Sequence, residues 1–144
     1  MASDTYERDF YAWTAEQAAL LRAGRLSEAD VENIAEEIES MGRSERRELV
    51  NRLAVLLTHL LKWQAQPALR GNSWRLTIAE QRARLAEHLK DNSSLKGAHP
   101  EAFATAYCFA LLAAQRETGL PEGAFPAVCP WASDRVMAEG FLPE

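Results

Sequence analysis

Leu49-Val50-Asn51-Arg52-Leu53-Ala54-Val55-Leu56-Leu57-Thr58-His59-Leu60-Leu61 is the stretch that decides the fold. Leucines at 49, 53, 56, 57, 60 and 61 return every three or four residues, which places them on one side of an α-helix. The apolar side is wide, so this helix touches more than one neighbour and belongs at the centre. Ser44 caps it and Pro67 stops it, giving a span of about Glu45–Gln66. A strand would need strict alternation between turn signals, and no segment shows it.

Working towards the N-terminus, Val31, Ile34, Ile38 and Met41 form one apolar stripe of a second helix over about Glu28–Met41, of the kind that faces a core. Ser27 caps it and Gly42 ends it. Before it lies a segment from Thr5 to Ala23. Asp4 with Glu7 and Thr14 with Gln17 read as two capping boxes, which predicts a break near Trp13. Working towards the C-terminus, a fourth helix starts near Ser73 or Thr77, ends near Asp91 and turns Ile78, Leu85 and Leu89 inward. A fifth begins at Pro100, carries Phe103, Tyr107, Leu111 and Ala114, and stops at Gly119. One short helix follows near Trp131–Glu139, with Phe141 and Leu142 folding back. The predicted fold is all-α: a single-domain bundle over residues 1–144, of about five main helices with mostly antiparallel neighbours.

The chain has 144 residues, of which 47% are hydrophobic and 26% charged, with a net charge of −5. The length suits one domain. The negative balance argues against non-specific binding to nucleic acid or anionic lipid. No apolar run is long enough to span a membrane, and the polar start Met1-Ala2-Ser3-Asp4-Thr5-Tyr6-Glu7 does not resemble a secretory signal. These features place the protein in the cytoplasm as a soluble chain. Cys108 and Cys129 then read as two buried thiols in a reducing compartment.

Several segments together resemble a bacterial family, Domain of Unknown Function 29. They are Tyr6-Glu7-Arg8-Asp9-Phe10-Tyr11-Ala12-Trp13-Thr14, Glu36-Glu37-Ile38-Glu39, Gly42-Arg43-Ser44-Glu45, His59-Leu60-Leu61-Lys62-Trp63-Gln64, Gln66-Pro67, Arg70-Gly71, Ser73-Trp74, Glu117-Thr118-Gly119-Leu120, Phe125-Pro126 and Cys129-Pro130. The chain departs from the pattern at Ala65, where an aromatic residue is frequent. The resemblance implies a helical fold and no particular activity.

Polar chemistry concentrates at the corner between the third and fourth helices, where His59, Lys62, Trp63, Gln66, Arg70, Asn72, Ser73, Trp74, Arg75 and Arg82 crowd together. A helix N-terminus presents unpaired N–H groups and partial positive charge, so Arg70, Ser73 and Arg75 there can hold an anion. Trp63 and Trp74 can stack a planar group, and Lys62 adds charge. The competing reading is a packed corner with snorkelling arginines. A second basic group, Arg43, Arg46 and Arg47 around Ser44, can hold a phosphate at the start of the third helix or simply pair with Glu36, Glu37 and Glu39.

Arg52 and His59 lie seven residues apart on one helical face. The spacing is similar to the Arg-x6-His signature of the helical ribonucleases grouped under the name "higher eukaryotes and prokaryotes nucleotide-binding". In that chemistry the histidine moves a proton and the arginine stabilises phosphate charge. A structural histidine is the competing reading. No metal-ligand spacing, Gly-rich phosphate loop or nucleophile elbow is present, and no metal or cofactor is expected. The leading expectation is a non-enzymatic module that binds a partner protein or a small anionic ligand at the corner. The alternative is a phosphodiester-cleaving enzyme using His59 and Arg52. A third reading is a homo-oligomer joined through exposed Phe10, Tyr11 and Trp13.

Overall fold

The computed structural model describes residues 4–144. Met1, Ala2 and Ser3, on which the reading of the chain's start partly rests, lie outside the described residues. The protein is 79% helical and contains no strand among the described residues. Its helices are α1 (Thr5–Arg8), α2 (Phe10–Arg22), α3 (Val31–Ala65), α4 (Asn72–Asp91), α5 (His99–Thr118) and α6 (Ser133–Met137).

The expected second and third helices are one. α3 runs 35 residues without interruption, and neither Gly42 nor Ser44 ends or starts a helix. Gly42 is not among the glycines with positive φ. A helical interior tolerates one glycine at a cost of roughly 1 kcal/mol, which the long run of good helix formers on both sides absorbs. The helix stops where Pro67 follows, in a 3-10 turn over Pro67–Leu69.

The chain divides into two compact units, Met1–Glu45 and Arg46–Glu144. In the first, the helix break falls at Asp9 and not near Trp13. Asp9 has φ −147°, and its side chain accepts a bond from the Ala12 N–H. This N-cap fixes where α2 starts. Thr14 lies inside α2, with its hydroxyl donating to the Tyr11 carbonyl at 2.7 Å. Trp13 is 3% exposed and donates its indole N–H to Asp30 Oδ2 at 3.1 Å. Gln17 Oε1 accepts the Asp30 backbone N–H at 2.7 Å. An oligomer face built on Trp13 is therefore not available, although Tyr11 is 84% exposed.

Tyr6 donates to Glu37 Oε1 at 2.5 Å. Asp30, Asn33, Ile34 and Glu37, spaced as one helical face, are buried or half-buried. The face that α1 and α2 engage is thus the polar-edged one. Val31, Ile38 and Met41 turn outward, Ile38 being 62% exposed, so the expected inward stripe points to solvent.

In the second unit the leucine face behaves as its spacing requires. Leu49, Leu53, Leu56, Leu57, Leu60 and Leu61 are all fully buried, with Ile78, Leu85 and Val136 beside them. Side-chain pairs fix the helix directions. Glu48 meets His88, and Lys62 lies over Trp74, so α3 and α4 are antiparallel. Arg46 pairs with Glu101 and Lys62 with Glu117, so α5 runs parallel to α3. α5 turns Ala102, Ala106, Ala110 and Ala114 into the core and ends at Gly119, whose φ of +74° is the left-handed conformation that glycine adopts without strain. The tail closes over the core: Tyr107 donates to the Pro126 carbonyl at 2.5 Å, and Phe141 packs edge-on against Trp131.

Candidate functional site

Where α3 ends and α4 begins, the crowded corner forms largely internal contacts. Lys62 is buried; its Nζ lies 3.0 Å from Glu117 Oε1 and 4.9 Å from the centre of the Trp74 ring. Its charge is thus neutralised by α5 and covered by an aromatic face. Arg70 donates from Nε to the Trp63 carbonyl at 2.6 Å and stacks over that ring at 5.3 Å. It thereby binds one carbonyl in the last turn of α3, a favourable place for a cation. Arg75 is exposed and bonds to the Asn72 side chain. Ser73 is exposed and makes no capping bond; the residue before α4 is Gly71, in extended backbone. Both tryptophans are half-buried. The corner brings Lys62 and Trp74 together, and separately Arg70 and Trp63. Arg82 belongs elsewhere, under the C-terminal tail.

A groove of about 300 Å³ opens on the neighbouring side, between α3 and α5. Ala54, Val55, Thr58 and His59 line it from α3. Phe109, Leu112, Ala113, Arg116 and Glu117 line it from α5. Phe109 is 54% and Leu112 61% exposed, large for apolar side chains in a helix that also builds the core. Glu117 is already committed to Lys62. Arg116 is exposed at the groove and forms no ion pair among the described residues.

His59 is half-buried, and its Nδ1 lies 2.8 Å from the Val55 carbonyl. A carbonyl only accepts, so Nδ1 carries the proton and Nε2 keeps a lone pair when the ring is neutral. Burial lowers the imidazole below its ordinary pKa, the Val55 carbonyl pulls the other way, and Lys62 adds to the lowering. Arg52 does not share this groove. Its Nε and Nη2 both donate to Glu48 Oε1, at 3.1 and 2.8 Å. That bond holds the Glu48 carboxyl below its ordinary range. Glu48 Oε2 also lies 3.3 Å from His88 Nδ1. Glutamate and histidine are donor types that hold metals, but here Arg52 already balances the carboxylate and the cluster ties α4 to α3.

A family model described as a domain of unknown function, DUF29, matches residues 5–142. The chain belongs to the DUF29 family. No curated protein and no solved structure matches it. The match covers the helical fold from α1 to the tail, and among the described residues of this DUF29 chain no helix is long and apolar enough to cross a membrane.

The second basic group of the DUF29 chain has no helix start to work with, because Ser44 is mid-helix. Arg43 pairs with Glu36 at 3.0 Å and approaches Glu39 at 3.9 Å. Arg46 reaches Glu101 at 3.0 Å, and Arg47 is exposed. The free cysteines also differ from expectation, since Cys108 is exposed and Cys129 is half-buried. Sequence reasoning missed Phe109, Leu112 and Arg116. The available signal was that Phe109 and Leu112 fall outside the Phe103–Tyr107–Leu111–Ala114 face of α5, so that helix is apolar on a second side.

Proposed function

We propose that this chain is a cytoplasmic, non-enzymatic binding module whose α3–α5 groove takes an apolar ligand bearing a carboxylate. The carrying observation is Arg116, a cation beside Val55, Phe109 and Leu112 that forms no ion pair among the described residues. A carboxylate there gains a charge-assisted bond, and its apolar body covers Phe109 and Leu112. Glu117 does not compete for Arg116, because Lys62 holds it. The groove's size is at the lower end for small-molecule sites. An exposed Cys108 suits a reducing compartment. The anion preference is the one the sequence suggests, moved from the corner to its neighbouring groove.

Titration calorimetry with octanoate and octan-1-ol tests this. Octanoate is expected to bind saturably and more tightly than the alcohol. A charged hydrogen bond is worth about 1.5–3 kcal/mol, so Arg116→Gln should weaken octanoate by roughly 10- to 100-fold and leave octan-1-ol unaffected. Equal affinity for acid and alcohol, or an unchanged Arg116→Gln variant, refutes the reading.

The enzyme reading keeps one supporting observation: His59 lines the same groove as Arg116. In that reading Arg116 stands in the place first given to Arg52, and Nε2 of His59 takes the proton. Hydrolysis of bis(p-nitrophenyl) phosphate that disappears in His59→Ala would favour it. Octanoate binding with no turnover favours the module.

A further inference from the structure

Arg82 departs from the usual rule for buried charge. A guanidinium taken out of water is ordinarily paired with a carboxylate, because neutral carbonyls offset only part of its desolvation. Arg82 is 8% exposed. Its Nε donates to the Val136 carbonyl at 2.8 Å and its Nη2 to the Phe141 carbonyl at 2.7 Å. The Phe141 ring lies 6.0 Å from the guanidinium carbon. Among the described residues no acid forms an ion pair with it, and burial alone moves its pKa, downward.

These two bonds use two of the five N–H groups. Among the described residues Nη1 has no hydrogen-bond partner. Nor is it sealed in: among the described residues, Gln81 Oε1 is the fully buried side-chain atom without one. Nη1 therefore reaches open space. The open space at Arg82 is a pocket of about 330 Å³, lined from α4 by Ala79, Ala83 and Ala86 and from the tail by Met137, Glu139 and Gly140. These alanines are exposed and their short side chains fill little of the space. Arg82 itself lines this pocket, and the two backbone carbonyls fix the plane of its guanidinium, so its unbonded edge has little rotamer entropy left to lose. Glu139, the acid among the lining residues, is exposed, and among the described residues it forms no ion pair with Arg82.

We propose that this pocket is an oxyanion site, in which a small organic carboxylate or phosphate is held by the free edge of Arg82 over Ala79 and Ala83. An anion there supplies the countercharge the protein does not, and the planar fork matches two oxygens of either group. The volume exceeds what the anion alone fills, so the ligand carries a short organic body. This site is independent of the α3–α5 groove and stands or falls separately.

The test uses the full chain labelled with ¹⁵N, following the Arg82 Nε–H resonance during titration with acetate, inorganic phosphate and chloride at matched ionic strength. Arg82 also anchors the tail, so its removal risks unfolding. Ala83→Leu fills the pocket and leaves both carbonyl bonds in place. A saturable shift with acetate or phosphate but not chloride is expected, and the stronger of the two names the ligand class. Ala83→Leu should weaken that binding at least tenfold while the Trp131 indole resonance stays unmoved. No saturable shift, an equal response to chloride, or an unchanged response in Ala83→Leu overturns the proposal.

Discussion

Replacing Gly42 with alanine separates two physical pictures of the α3 region, because they give opposite signs. In the structure Gly42 lies within the uninterrupted helix Val31–Ala65, is exposed and lacks a positive φ. A Cβ built there meets nothing within 4 Å. The substitution therefore adds no clash and removes the conformational freedom glycine retains when unfolded. Alanine exceeds glycine by about 0.8–1.0 kcal/mol in a helix interior, so Gly42→Ala should stabilise by about that amount. Were Gly42 a left-handed helix stop, as the local sequence suggests, alanine would instead cost about 1–2 kcal/mol. Urea unfolding followed by circular dichroism at 222 nm reads the difference. With a slope of about 1–3 kcal/mol per molar urea, the midpoint should rise by roughly 0.3–1 M. An unchanged or lowered midpoint refutes the continuous helix.

Leu57 is fully buried in the leucine face, so Leu57→Ala should destabilise by about 2–5 kcal/mol, measured by the same urea titration; a loss under 1 kcal/mol would mean the face is not packed as described. His59 and His99 are both held below their ordinary pKa, chiefly by burial. The unfolded chain then binds more protons just below the ordinary value of about 6.5, so stability is fully present above that pH and declines as the pH falls through the lower folded values. Melting temperature measured from pH 7.5 to 5 should fall, and His59→Gln with His99→Gln should flatten the decline. A wild-type curve that is flat over that window contradicts the burial argument.

The leucine-rich half of α3 was legible because repetition at three and four residues leaves one geometric solution. The ends of α5 were legible too, since Pro100 and Gly119 act through local backbone geometry alone. The break at Gly42 was misread for the converse reason. A glycine signals a stop only if the next residues fail to continue the helix, and Arg43 through Leu49 continue it. Val31, Ile38 and Met41 form a real stripe, but the stripe says only that the helix has two sides. Tyr6–Glu37 and Trp13–Asp30 decide which side is covered. The site was less legible still. Arg52 and His59 share a face by spacing, yet Glu48 and the Val55 carbonyl claim them first. Arg116 and Phe109 acquire meaning only when α5 lies parallel to α3, and the free edge of Arg82 only when the tail has folded over it.

The α3–α5 pair carries an evolutionary constraint. Arg46 to Lys62 on one helix and Glu101 to Glu117 on the other are matched intervals, tied at both ends like rungs of a ladder. One residue inserted between the rungs of either helix would rotate everything beyond it by about 100° and advance it by about 1.5 Å. Length changes in the two segments must therefore occur together, so alleles carrying a compensated indel should survive where single ones do not.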